Sequence, residues 1–146
     1  MFKMQLIVLI PYFFAFALLT TGGFAKAAED WLPLPVVSGN VSLALDKNSL
    51  AIEGSQAMFW ERAQFERAEE KDEVSGRMIT SKRVYRVMNC ANRTQGVLRG
   101  SLFGENGKLI ESIILLPEKV QMEAIPAGSV AEYEFNLVCG DLLKPK

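Results

Sequence analysis

"GSVAEYEFNLVCG", Gly128 to Gly140, can be read as two different elements, and the choice sets the fold class. As a strand, it would align Ala131, Tyr133, Phe135, Leu137 and Cys139 on one face. As a helix, it begins with a capping box, Ser129 at the N-cap and Glu132 three residues later. Gly140 then stands where a left-handed C-terminal residue belongs. In that reading Ala131, Phe135, Cys139 and Leu142 share one side, with Val138 beside them. The two end signals decide for the helix. Cys139 thereby falls on the buried stripe, where it can reach a cysteine on a sheet strand.

The preceding residues supply that sheet. Val41 to Leu45 alternates apolar and polar, and Asp46-Lys47-Asn48-Ser49 turns. Leu50-Ala51-Ile52 is brief, Gln56 to Phe65 is longer and rich in aromatics, and Met78 to Cys90 is the longest and should be central. Gly96 to Phe103 and Lys108 to Leu116 frame Gly104-Glu105-Asn106-Gly107, a hairpin in which Asn-Gly supplies positive φ cheaply. The charged stretch Glu66 to Gly76 reads as a solvated excursion, because no carboxylate spacing in it fits a calcium loop. The sheet has apolar residues on both faces, including Tyr85, Val87 and the strand Leu109 to Leu116, whereas a helix covers one. Curvature, a segment such as Trp31-Leu32-Pro33-Leu34, or a second copy in a homodimer must cover the other.

The chain begins as exported proteins do. Met1-Phe2-Lys3 is a basic start and Met4 to Leu19 is apolar apart from Gln5 and Pro11. Ala25-Lys26-Ala27 has the small-x-small form of a cleavage site. As a membrane anchor the apolar run is short of the roughly 20 residues a span needs, and it contains a proline. The expected organisation is a signal peptide over residues 1–27 and one domain over 28–146, with no transmembrane segment after cleavage. No cysteine near the cleavage point offers a lipid attachment site. Residues 1–27 carry Lys3 and Lys26 and no acid, so their loss turns a net charge of −1 into −3. That balance argues against nucleic acid as a partner. Cys90 and Cys139, an even pair in an exported chain, are expected to be bridged and structural.

The 146 residues contain no histidine, which removes His-based triads and most zinc sites. No glycine-rich phosphate loop follows a strand. A carboxylate pair such as Glu61 with Glu66 or Glu111 is conceivable for glycoside hydrolysis, but no spacing singles one out. The expectation is a non-enzymatic protein without cofactor or metal. The candidate binding residues are Lys82, Arg83, Tyr85, Arg86 and Arg93, a basic patch beside an aromatic ring, with Arg99 adjoining; ordinary rim charge is the plainer reading of the same residues. Phe59 and Trp60 point to opposite faces of one strand. Two sequons, Asn92-Arg93-Thr94 and Asn40-Val41-Ser42, would suit glycosylation in a eukaryotic secreted domain.

Several segments fall in an order that resembles a known family. They are Trp31 near the mature start, "LALDKNSL" with Asp46 and Ser49, "SKRVYRVMNCANR" with Lys82, Tyr85, Cys90 and Arg93, and "IPAGSVAEYEFNLVC" with Pro126, Gly128, Ser129 and Cys139. Together they resemble the surface-adhesin protein E-like family of Gram-negative bacterial envelope proteins. The resemblance implies an α+β fold: an antiparallel sheet of about six strands, a C-terminal α-helix on its concave face, and a disulfide between Cys90 and Cys139. It also implies that both sequons carry no sugar. The family includes an outer-membrane lipoprotein adhesin that binds host matrix proteins and can dimerise. This chain departs from it in lacking the lipid-anchoring cysteine, and in having Val120 or Met122 where the family often has tryptophan. The implied function is an exported, periplasmic or secreted binding protein of the cell envelope, its partner a host matrix protein, an envelope protein or a polyanion. The alternative is a periplasmic inhibitor or modulator of a cell-wall enzyme.

Overall fold

The computed structural model describes residues 27–35, 39–68 and 70–143. Apart from Ala27, the expected signal peptide lies outside the described residues. The strands are β1 (Trp31–Pro33), β2 (Val41–Asp46), β3 (Ala51–Glu53), β4 (Gln56–Phe65), β5 (Ser81–Asn89), β6 (Thr94–Phe103), β7 (Leu109–Ile114) and β8 (Glu123–Ala124). One helix follows, α1 (Val130–Cys139). All pairings are antiparallel, in the order β1-β2-β4-β5-β6-β7, with β3 extending the β2 edge of β4 and β8 extending the β7 edge of β6. The fold is therefore the expected α+β: a sheet six positions wide carrying a C-terminal helix.

Period-two alternation sends each strand's residues to opposite faces. On β4, Ala57, Phe59 and Glu61 face the helix, paired across to Met88, Arg86 and Val84 of β5. Leu34, Leu45, Ala57, Phe59 and Met88 form the core with Phe135 and Val138 of α1. Burying a side chain such as Phe135 or Val138 contributes about 1.5–3 kcal/mol. The segment expected to cover the other face is split instead: Leu34 enters the helix-side core, and Trp31 turns to the opposite face. One end of that opposite face is covered by the chain after β7. A Cβ on Gly96 would lie 2.8 Å from both Val120 Cγ1 and Met122 Sδ, and Val87, paired to Gly96, is 3% exposed. Only glycine allows that close approach.

Three contacts fasten α1. At its C-terminus Cys139 is bonded to Cys90, just beyond β5, with Cα atoms 5.6 Å apart. At its N-terminus Ser129 Oγ accepts from the Glu132 N–H, while the Glu132 carboxylate takes the Gly128 N–H and Arg93 Nη2. The capping box thus reaches one residue further back than expected, and Arg93, at φ 56° in the turn after β5, also lies 4.4 Å over the Phe135 ring. Gly140 ends the helix, yet not in the left-handed region: its φ is −125°, and the chain runs on into a 3-10 turn at Asp141–Leu143. Glycine fits there for a different reason, since a Cβ would sit 2.6 Å from Asn136 O.

The third fastening is buried. Arg86 on β5 reaches Glu61 Oε2 at 3.0 Å, Gln95 Oε1 at 3.1 Å and Glu134 Oε2 of α1 at 3.7 Å. Glu134 is 1% exposed. Burial pushes its carboxyl up to about 9, the neighbouring Glu61 adds to the rise, and Arg86 opposes it. Its Oε1 has no hydrogen-bond partner among the described residues, which suits a neutral acid better than a carboxylate.

Two outcomes are expected. The bridge closes a loop over a sequence separation of 49 residues, so Cys139→Ala should lower unfolding free energy in urea by about 4 kcal/mol in the chain-entropy account. An effect below about 1 kcal/mol would show that the helix is held without it. For Glu134, the unfolded carboxyl titrates near 4.5 and the folded one near 9, so unfolding releases a proton between those values and stability falls as pH rises through that window. Melting from about pH 5 to pH 9 should show wild type losing stability relative to Glu134→Gln, which has no proton to lose, at no more than the one-proton limit of about 1.4 kcal/mol per pH unit. Parallel curves for the two proteins would refute the neutral acid.

Candidate open-face cleft

The five basic and aromatic candidates do not form one patch. Lys82 and Arg86 lie on the helix side of β5, Arg83 and Tyr85 on the open side, and Arg93 in the turn beyond its end. Each basic member already has an acidic partner: Lys82 with Glu70 (2.7 Å), Arg83 with Glu29 (3.0 Å), Arg86 with Glu61 and Arg93 with Glu132 (3.0 Å). Arg86 and Arg93 are occupied in holding the helix. The two acids brought together are Glu61 and Glu134, buried under α1 rather than facing a cleft.

The open face gathers a different set. Trp60 of β4 pairs with Tyr85 of β5, and Tyr85 with Arg99 of β6. A β-bulge makes the last pairing. Arg86 opposes Val97, so regular register would put Leu98 opposite Tyr85, and the extra residue brings Arg99 there instead. The Trp60 and Tyr85 rings lie 5.1 Å apart at 40°, and the Arg99 guanidinium sits 5.8 Å from the Tyr85 centroid. On the next rung Arg62 pairs with Arg83, and both guanidinium groups cover Trp31 of β1, at 4.4 and 5.5 Å. Arg83 also reaches to 5.9 Å from Phe103. Trp31, Trp60, Tyr85, Phe103, Arg83 and Arg99 line a cavity of about 510 Å³, open to solvent.

The chain ahead of β1 closes one side of this cleft, and the turn after β2 holds it there. Buried Asp46 accepts from the Asp30 and Asn48 N–H groups at 2.8 and 3.1 Å. Lys47 pairs with Asp30 at 2.7 Å, and Asn48 Nδ2 donates to the Ala28 carbonyl. Ser49 Oγ donates to the Asp46 carbonyl and accepts from the Trp60 N–H. Glu29 is thereby held over the cleft with its oxygens divided. Oε1 accepts from Arg83 Nη1 and Oε2 from Trp31 Nε1, each at 3.0 Å.

Of the sequence candidates, Arg83 and Tyr85 belong to this cleft. Trp31, Trp60, Arg99 and Phe103 complete it. Alternation signalled that Trp60 leaves the Phe59 face, but nothing local marks the bulge that redirects Arg99. Of the sequons, Asn92 accepts from its own Thr94 hydroxyl at 2.7 Å, and the Asn40 side chain is tied to the Arg67 backbone. Among the described residues, no helix is long and apolar enough to cross a membrane.

Similar chains share this architecture. Crystal form II of Haemophilus influenzae protein E superposes with a TM-score of 0.56 at 15% identity, covering 82% of this chain and 99% of that one. A second structure of Haemophilus influenzae protein E gives 0.56 at 15% identity over 81% and 90%. Protein E from non-typeable Haemophilus influenzae gives 0.51 at 14% identity over 79% and 80%. At such identities the likeness is one of fold. A search among curated protein sequences returns no match. The family model for surface-adhesin protein E matches residues 31–140, from the first strand through the helix cap, and the chain belongs to that family.

Proposed function

We propose that this protein is an exported, adhesin-like binding protein of the bacterial envelope that engages a host matrix protein or a polyanion without catalysis. The observation that carries the reading is the open-face cleft: four aromatic rings and two arginines presented to solvent in a member of this family. Aromatic residues and arginine are the side chains that most often carry binding energy at interfaces. The signal at 1–27 would deliver the domain to the periplasm or beyond.

Fractionation of tagged protein, with pull-down from host matrix and from envelope extract, tests this. Matrix protein recovered by wild type and lost with Arg99→Glu supports the adhesin-like role. Retention solely in the periplasm, with a cell-wall enzyme recovered and no matrix protein, would favour an inhibitor or modulator instead. The same material tests for a homodimer. The β7 edge leaves Ile113, Ile114 and Leu116 exposed, with Ile114 at 70%, and a second copy there would cover them. Light scattering at twice the monomer mass supports that arrangement, and the monomer mass removes it.

A further inference from the structure

The cleft already holds an oxyanion, and it belongs to the chain itself. The two Glu29 oxygens are taken by two different donors, the Arg83 guanidinium and the Trp31 indole N–H. This is a planar carboxylate receptor built from one charged and one neutral donor. Around it stand the rings of Trp60, Tyr85 and Phe103, and Arg99 has no acidic partner among the described residues. Rings alone would suit any apolar ligand, and arginines alone any anion. Rings interleaved with arginines suit a ligand that alternates flat C–H surfaces with carboxylates. A chain of pyranose rings bearing carboxylates has that form: each ring offers C–H groups to the electron-rich face of an aromatic, and each carboxylate a partner for arginine. The cavity, about 510 Å³, falls within the range of roughly 300–1,000 Å³ usual for small-ligand sites.

We infer that the open-face cleft binds an acidic saccharide of the uronic type, and that Glu29 occupies its carboxylate subsite until the ligand displaces it. The inference rests on the binding-protein reading and names the ligand class of the same site. Glu29 sits on the short segment laced to Asp46 and Asn48, so its carboxylate can swing out while the segment stays attached.

The chain's two tryptophans, Trp31 and Trp60, both line the cleft, so intrinsic fluorescence reports on this site. Titration with oligogalacturonate at low salt should change tryptophan emission saturably. Glu29→Gln should tighten binding about two- to fivefold, the size of an exposed ion pair no longer competing. Arg99→Ala should weaken it several-fold, and Trp60→Leu, which keeps an apolar side chain but removes the flat face, should do the same. A neutral dextran oligomer should leave the emission unchanged. Polyglutamate binding as tightly as oligogalacturonate would overturn the saccharide assignment, because ring stacking would then contribute nothing. Oligogalacturonate with no saturable effect on wild type and on Glu29→Gln would overturn the inference entirely. If that same preparation still retained matrix protein, the binding-protein reading would stand without it.

Discussion

Cys90 leaves β5 at the edge of the helix-side core, and its bond to Cys139 pins the last turn of α1 there. Much of the architecture follows from which face that bond selects. With the helix end fixed, Phe135 and Val138 fall over Phe59 and Met88, and Glu134 must enter the sheet beside Glu61 and Arg86. A buried carboxyl costs free energy, and here the cost is reduced by keeping it protonated and beside a shared guanidinium. The core beneath the helix is thereby closed. The opposite face is left to find other cover.

That cover comes in two forms. At one end the Val120–Met122 stretch lies against Gly96, an apolar lid on a glycine. At the other, among the described residues, arginine side chains lie over the aromatic rings instead. Guanidinium groups shield rings while staying hydrated. The face is therefore stable in water and still available to a ligand that offers a better partner for either component. The bulge in β6 belongs to the same design, since it exchanges Leu98 for Arg99 beside Tyr85.

Much of this was legible in the sequence, for identifiable reasons. The helix at 130–139 announces itself through Ser129 and Glu132, because capping is local chemistry. The strands follow from alternation, β4 with the same limits as expected, and Asn106-Gly107 makes the hairpin turn with φ of 59° and 67°. Cysteine parity gave the bridge. Most of what was missed depends on neighbours distant in the chain. Nothing in the sequence marks Glu134 as buried; its place beside Arg86 and Glu61 emerges only in the fold. Gly140 is required by the nearby Asn136 carbonyl and not by its own φ. The basic candidates offer either a patch or ordinary rim charge in the sequence; in the fold, alternation divides them between faces and each has an acid partner supplied from elsewhere. The bulge has no local signature, so Arg99 stood only at the margin of the expected site.

The central claim is that the sheet's two faces have separate duties: the helix side holds the fold and the open side binds. Adjacent residues on β5 test it most directly, because Lys82 and Arg83 carry the same charge to opposite faces. Affinity for oligogalacturonate and for recovered matrix protein would be measured side by side for Lys82→Ala and Arg83→Ala, with folding checked by melting. The account predicts near-native binding for Lys82→Ala and a several-fold loss for Arg83→Ala. Equal losses, or a greater loss with Lys82→Ala, would contradict it.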